Sequence, residues 1–218
     1  MRVAMIGATG LVGSLAARGL LAQGHEVDAL LRRPSGVVHP NWREHVAPPR
    51  DWSAILAGSN PEASVSALGT TMRQAGSQAA FRAVDYGIVV EFARAAASAG
   101  ARRMVTVSSV GADPRSANFY LRIKGEMEAA LEGLGFERLD ILRPGLLRGP
   151  RGGDRRLGER VGIVLSPVVN LLLRGRLDRY AAIDADLVAA ALAGALRQTQ
   201  AGVFRHENRS IRALADAR

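Results

Sequence analysis

Two side chains that could move a proton stand four positions apart in the second half of the chain. Tyr120 and Lys124 lie in a helix predicted over 116–134, and a spacing of four places both side chains on one helix face. A tyrosine hydroxyl can donate a proton to a carbonyl oxygen as a hydride arrives, and a nearby ammonium favours the ionised tyrosine that remains. The pair therefore predicts interconversion of a carbonyl and an alcohol.

Lysine is otherwise absent from this basic chain. Of its 29 lysine and arginine residues, Lys124 is the only lysine. The chain uses arginine wherever a generic positive charge is sufficient, so a compact ammonium is required at this position. A tyrosine and a lysine at this spacing are a weak motif that also suits a plain surface pair, but the single lysine favours the catalytic interpretation.

Two serines stand where a substrate would meet this pair. The strand predicted over 103–108 ends at Ser108 and leads into Ser109. In an open α/β sheet, ligands bind at the carboxyl ends of the strands, so a serine hydroxyl here could polarise the carbonyl oxygen. The predicted catalytic residues are Ser109, Tyr120 and Lys124, with Ser108 as the alternative to Ser109.

The turn that would position a cofactor lies at the start of the chain. Gly7, Gly10 and Gly13 stand between a strand predicted over 2–6 and a helix predicted over 11–23. Glycines allow the backbone to turn tightly and approach a pyrophosphate, which the amides of the helix N-terminus then face. The G-x-x-G-x-x-G spacing differs from the common G-x-G-x-x-G, and an ordinary glycine-rich turn is the alternative, but its position after the first strand favours a dinucleotide.

Two arginines follow the second predicted strand, 25–31, where the adenosine ribose of a dinucleotide would lie. An acidic residue there would select a free 2′-hydroxyl, whereas arginine would select a 2′-phosphate. Arg32 and Arg33 therefore predict NADP(H) as the preferred cofactor, with NAD(H) and a plain surface role as the alternatives. Asp28, within the strand, is predicted from alternation to face solvent or an edge.

Strands and helices alternate along the chain, which predicts an α/β protein with a doubly wound parallel sheet, a Rossmann fold. A third strand is predicted at 45–47 and a loop at 72–78. We expect a single NAD(P)-binding domain over 1–218. Within it, 146–180 forms a short lid or substrate segment, or a subunit interface, around the apolar block 161–173.

The composition indicates which binding partners and which cellular compartment to expect. The net charge is +9, but the arginines are scattered and only 5% of residues are aromatic, which argues against nucleic-acid binding. There is no cysteine, and the four histidines lack ligand spacing, so no metal site is expected. With no secretory leader and no apolar run long enough to span a bilayer, we expect a cytoplasmic protein without a transmembrane segment.

Five segments together resemble the short-chain dehydrogenase/reductase superfamily, specifically its atypical NAD(P)-binding branch and the Tat-interacting-protein-like oxidoreductases within it. The segments are 7–13, 67–71, 107–113, 118–126 and 142–145. The resemblance covers nearly the whole chain and implies a Rossmann fold, NADP(H) binding and a serine–tyrosine–lysine site.

The resemblance also implies individual roles. Ser109 would bind the carbonyl, Lys124 would also hold the nicotinamide ribose, and the backbone of Pro144-Gly145-Leu146 would border the nicotinamide. Asp85 is the nearest candidate for the asparagine that holds a relay water in many relatives, or else a helix-start residue. The predicted cofactor-binding residues are Gly7, Thr9, Gly10, Leu11, Val12, Gly13, Arg32, Arg33, Leu68, Gly69, Thr70, Ser108, Lys124, Pro144, Gly145 and Leu146.

Two functions from different classes fit these residues. One is an NADP(H)-dependent oxidoreductase acting on a small carbonyl or alcohol, with a homodimer as a further expectation. The other is a non-enzymatic NADP(H)-binding regulatory or redox-sensing protein. Tyr120 and Lys124 together favour the enzyme, because a sensor needs no proton donor.

Overall fold

Seven parallel strands form one sheet. The computed structural model describes residues 1–149 and 175–216, and for 175–177 only the backbone. The strands are β1 (Arg2–Ile6), β2 (Glu26–Leu31), β3 (Trp42–Val46), β4 (Ala63–Ser66), β5 (Arg103–Val107), β6 (Arg138–Leu142) and β9 (Gly202–His206). Their order across the sheet is β3-β2-β1-β4-β5-β6-β9. A separate parallel pair joins β7 (Leu147–Arg148) to β8 (Ile183–Asp184). The strand order reverses direction between β1 and β4, which is where ligands bind in such sheets.

Helices cover both faces of this sheet. They are α1 (Leu11–Ala22), α2 (Trp52–Ser59), α3 (Met72–Ala75), α4 (Gln78–Arg82), α5 (Val89–Ser98), α6 (Phe119–Glu132), α7 (Ala185–Leu196) and α8 (Asn208–Asp216). A π-helical segment, Ala83–Ile88, connects α4 directly to α5, and 3₁₀ turns occupy Pro49–Asp51 and Gly175–Tyr180. Within the described ranges, no helix is long and apolar enough to cross a membrane.

The core divides into two layers, one on each face of the sheet. Along β1, Val3 and Met5 pack in one layer and Ala4 and Ile6 in the other, as expected for side chains that alternate between faces. The first layer includes apolar residues of α1, α7 and α8, and the second those of α2, α5 and α6. The predicted doubly wound parallel sheet is therefore confirmed.

The prediction that Asp28 faces solvent or an edge is wrong. Only 1% of Asp28 is exposed, because β3 and α2 cover it. Its Oδ1 lies 2.9 Å from His45 Nε2, and its Oδ2 accepts a hydrogen bond from Ser59 Oγ at 2.7 Å. The carboxylate is buried with partners, which satisfies its charge away from water.

Two local predictions also need correction. The loop expected over 72–78 contains the short helix α3, which begins because the Thr71 side chain accepts a hydrogen bond from Gln74 N at 3.1 Å. The third strand lies at Trp42–Val46 rather than at 45–47. Most of the expected lid or interface at 146–180, including the apolar block 161–173, lies outside the described residues, so it stays a prediction.

Candidate functional site

The loops that carry the predicted site residues all leave the same edge of the sheet. The glycine turn follows β1, the 67–70 loop follows β4, Ser108 and Ser109 follow β5, and 143–146 follows β6. Because these strands are parallel neighbours, their carboxyl ends meet at one edge. The fold therefore collects the candidate residues at the strand-order reversal.

The glycine turn is packed too tightly for side chains at its first and last glycines. Gly7 has a positive φ of 75°, and a Cβ atom added there would lie 2.4 Å from the Leu68 backbone nitrogen. A Cβ atom added at Gly13 would lie 1.9 Å from the Gly7 oxygen. These two glycines bring α1 and the loop after β4 into direct backbone contact with the turn.

The middle glycine leaves the start of α1 open. Gly10 is the N-cap residue and is exposed; no side chain of the described residues caps the helix, and its first turn holds no acidic residue. Thr9 is exposed beside it, Leu11 is half-buried, and Val12 is buried in the core. An uncapped N-terminus presents free amides and a partial positive charge, so the turn fits the phosphates of a dinucleotide.

Arg32 and Arg33 follow the end of β2, and both are exposed. Within residues 1–149 and 175–216, neither forms an ion pair, whereas many of the other arginines do. Both guanidinium groups are therefore available to an anionic ligand at the carboxyl edge.

Tyr120 and Lys124 share a face of α6. They contact two successive parts of the neighbouring helix, Tyr120 packing on α4 and Lys124 on the π-helical segment that follows it. The ring of Tyr120 packs on Phe81 with centroids 5.4 Å apart. One turn further along, Lys124 Nζ lies 2.7 Å from Asp85 Oδ1. Lys124 is 4% exposed, and Tyr120 is half-buried. The predicted pair is thus on one face, with the lysine buried beneath the tyrosine.

Asp85 has a specific place in this arrangement. It is fully buried within the π-helical segment, and Thr70 N donates a hydrogen bond to its Oδ2 at 2.9 Å. The helix begins further back, where Ser77 Oγ accepts a hydrogen bond from Ala80 N. The helix-start interpretation of Asp85 is therefore wrong.

The loop after β4 lies directly against the Lys124–Asp85 pair. A Cβ atom added at Gly69 would lie 3.5 Å from Asp85 Oδ1 and 3.7 Å from Lys124 Nζ. Thr70 binds Asp85 through its amide, and Leu68 packs beside the core. Two predicted cofactor residues, Gly69 and Thr70, are thus brought to the Lys124–Asp85 pair.

The two serines have different surroundings. Ser108 is buried, and its hydroxyl donates a hydrogen bond to Glu128, whose carboxylate also accepts from Arg143 Nε at 3.0 Å. Ser109 is half-buried, and among the described residues the one contact of its hydroxyl is to the Val110 carbonyl oxygen, at 3.4 Å. The loop that follows folds onto α6, where Asp113 N donates to the Leu121 carbonyl oxygen at 3.2 Å. The loop that begins at Ser109 therefore contacts the first turn of α6 through Asp113.

The 144–146 segment is fixed from both sides. Val110 N donates to the Pro144 oxygen at 3.0 Å, and Gly145 N donates to Asn208 Oδ1 at 3.0 Å. A Cβ atom at Gly145 would lie 2.2 Å from the Ala181 oxygen, so only glycine fits there. Leu146 is 45% exposed at the same edge.

Asn208 is a supporting residue that the sequence interpretation missed. It is fully buried, and its Nδ2 donates to the backbone oxygens of Asp178 and Ala181 at 2.9 and 2.8 Å. An asparagine at the start of a helix is typical of an ordinary cap, so its role in holding Gly145 has no local signal.

This combination of a parallel sheet, a tight glycine turn and an uncapped helix N-terminus defines a dinucleotide-binding protein of the Rossmann type. A family model described as NAD(P)H-binding matches residues 7–164. The chain belongs to this NAD(P)H-binding family, which supports a nicotinamide dinucleotide as the cofactor.

The chain is also similar to known proteins in sequence and in fold. The chain is 38% identical over 202 residues to protein fmp52, mitochondrial, of Aspergillus fumigatus, covering 88% of this chain and 86% of the relative. It is 38% identical over 176 residues to protein FMP52, mitochondrial, of Coccidioides immitis, covering 74% and 72%. The UDP-glucose 4-epimerase of Thermus thermophilus, solved with NAD, has the same fold with a TM-score of 0.70 at 20% identity, covering 99% of this chain and 83% of that one.

The family match confirms the NAD(P)-binding part of the predicted resemblance, and the solved structure agrees in fold, while the narrower Tat-interacting-protein-like group stays a prediction. The similarities in sequence contradict one expectation. Relatives from Coccidioides, Aspergillus and Meyerozyma are all named mitochondrial, so the expectation of a cytoplasmic protein is wrong. The composition on which it relied does not determine the compartment.

Proposed function

We propose that this protein is an NADP(H)-dependent oxidoreductase that transfers a hydride between nicotinamide and a small carbonyl or alcohol. One observation carries the proposal. The only lysine of the chain is buried at the carboxyl edge of the sheet, on the same face of α6 as Tyr120. A buried lysine beside a tyrosine at a ligand-binding edge is an arrangement suited to proton transfer.

The cofactor-binding part of the proposal rests on open polar groups. The amides at the start of α1 would hold the pyrophosphate, with Gly10 allowing close approach. Arg32 and Arg33 would hold a 2′-phosphate through charge-assisted hydrogen bonds, because both are exposed and unpaired among the described residues. The nicotinamide, when bound, supplies or accepts the hydride.

The chemical part of the proposal assigns one role to each of three side chains. Ser109 donates a hydrogen bond to the carbonyl oxygen, since its hydroxyl has only a long, 3.4 Å contact within the part of the chain that the structure describes. Tyr120 gives its phenolic proton to that oxygen during reduction and takes it back during oxidation. Lys124 stabilises the ionised tyrosine and donates to the ribose hydroxyls.

The proposal is tested by NADPH consumption with a panel of aldehydes, ketones and quinones. With at least one substrate, we expect the protein to oxidise NADPH faster than it oxidises NADH. We also expect this rate to fall when Tyr120 is replaced. Tight NADPH binding without turnover of any panel member would instead favour the non-enzymatic regulatory or redox-sensing function.

A further inference from the structure

Asp85 is a buried carboxylate that the proposed reaction does not use directly. Its Oδ1 forms the ion pair with Lys124, and its Oδ2 accepts the Thr70 amide proton. It is fully buried, and Lys124 is 5% exposed at its side chain. A buried ion pair needs good geometry on both partners, because each charge has lost its water.

The backbone around Asp85 is irregular at this residue. Regular helix surrounds the π-helical turn that contains it, with α4 before and α5 after. π-Helical turns are rare and are found mainly at functional sites. The irregularity is compatible with a carboxylate placed for a purpose other than helix stability.

The Gly69 backbone lies next to the ion pair. A Cβ atom added at Gly69 would be in ordinary van der Waals contact with it, 3.5 Å from Asp85 Oδ1 and 3.7 Å from Lys124 Nζ. An ammonium binds as a compact point charge, whereas a guanidinium makes its hydrogen bonds in a fixed planar fork. Lysine is the cation found at this site, in a chain that otherwise uses only arginine.

We propose that Asp85 is the positioning residue for Lys124. It fixes the ammonium group next to the Gly69–Thr70 backbone, and so links Lys124 to the loop that is proposed to border the cofactor. The carboxylate holds the ammonium with one oxygen and the loop with the other. In Asp85→Asn the amide oxygen can still accept the Thr70 proton, so the loss of charge acts on cofactor binding through Lys124. The inference rests on the proposed function for its consequence in cofactor binding, but the ion pair can be tested without it.

The first test uses the single lysine as a spectroscopic label. Protein grown with [¹⁵N]lysine has one side-chain ammonium, that of Lys124. We expect its ¹H–¹⁵N signal to be visible in the parent protein, since burial and the ion pair slow proton exchange. Asp85→Asn removes the charge and keeps the shape, and we expect exchange to become at least about tenfold faster, as a strong charged contact is lost.

A matched control separates this effect from general destabilisation. Asp140 is 1% exposed and paired with Arg138 within β6, at Nε–Oδ2 2.6 Å. Asp140→Asn also breaks a buried ion pair, and we expect it to leave the Lys124 signal unchanged. An unchanged signal in Asp85→Asn, or an equal change in both variants, would overturn the proposal.

The second test is a double-mutant cycle on NADPH affinity. Asp85→Asn should weaken NADPH binding about tenfold or more in the parent background. In a Lys124→Gln background it should have no further effect, because the loss of charge acts through the lysine. An equal weakening in both backgrounds would show that Asp85 acts by another route.

The two tests also separate this inference from the proposed function. If NADPH binds but no substrate is turned over, the enzyme assignment fails and both tests still apply. If NADPH does not bind at all, the proposed function fails, and the ammonium signal alone decides whether Asp85 positions Lys124.

Discussion

The hydroxyl of Ser108 donates a hydrogen bond to the carboxylate of Glu128, and both side chains are buried. Arg143 binds the same carboxylate from the end of β6. The hydroxyl of Ser109, the next residue, has only the Val110 carbonyl oxygen at 3.4 Å as a partner within residues 1–149 and 175–216. The two adjacent serines after β5 thus differ in their surroundings, since Ser108 is buried with a charged partner and Ser109 is half-buried with a weak one.

This difference predicts opposite effects of two alanine substitutions. Ser108→Ala should lower the free energy of unfolding by about 1–3 kcal/mol, because the buried Glu128 loses a donor. Ser109→Ala should lower kcat/KM about 10²-fold, as expected for loss of a donor to the carbonyl oxygen, and should leave stability nearly unchanged. Urea unfolding and NADPH turnover of both variants measure this. Equal effects on stability and turnover would contradict the assignment of Ser109.

Cofactor choice should depend on the arginines after β2. Arg32→Glu should weaken NADPH binding much more than NADH binding, because the new carboxylate repels the 2′-phosphate. Arg94→Glu, an exposed position on α5, makes the same change in charge away from the turn and serves as the control. Titrations by nicotinamide fluorescence report both affinities. Equal affinity of the parent for NADPH and NADH would exclude the predicted preference.

Two glycines of the turn and one further along α1 should differ in the substitutions that they tolerate. Gly13→Ala should be strongly destabilising, since its Cβ atom would lie 1.9 Å from the Gly7 oxygen. Gly10→Ala has a nearest contact of 3.3 Å, so it should fold and bind NADPH more weakly. Gly19→Ala, where a Cβ atom meets nothing within 4 Å, should raise stability by about 0.5–1 kcal/mol. Thermal unfolding and NADPH titration of the set give the comparison. Normal NADPH affinity in Gly10→Ala would speak against phosphate binding here.

His25 should make the protein sensitive to mild acid. Burial lowers the pKa of His25 below its ordinary value of 6.5, and the positive charges of the N-terminus and Arg197 add to this. As the pH falls below 6.5, His25 of the unfolded chain binds a proton before His25 of the folded protein does. The free energy of unfolding therefore decreases over this range. His25→Gln should remove this part of the loss and change little above about pH 7.5. Urea unfolding across this pH range tests it, and identical pH profiles for parent and variant would refute it.

The sequence was sufficient to predict those features of the fold and site that depend on residues close together in the chain. The first strand, the three glycines after it and the four-residue spacing of Tyr120 and Lys124 are local patterns, and each lies where it was expected. The burial of Asp28 was missed because its partners His45 and Ser59 stand 17 and 31 residues away.

The missed parts of the site have the same cause. Asn208 holds Gly145 across 63 residues, and a contact at that separation leaves no periodic signal. Asp85 was recognised as a candidate, but its ion pair depends on how two helices pack and on an irregular helical turn. Neither property can be read from spacing alone.

In the proposed reaction Tyr120 donates the proton and NADPH supplies the hydride. Steady-state turnover and NADPH affinity are measured for the parent and for Tyr120→Phe, on the best substrate of the panel. We expect turnover to fall about 10²- to 10⁴-fold, while NADPH affinity stays nearly intact because the ring keeps its contact with Phe81. Equal turnover in Tyr120→Phe and the parent would contradict the proposed role of Tyr120.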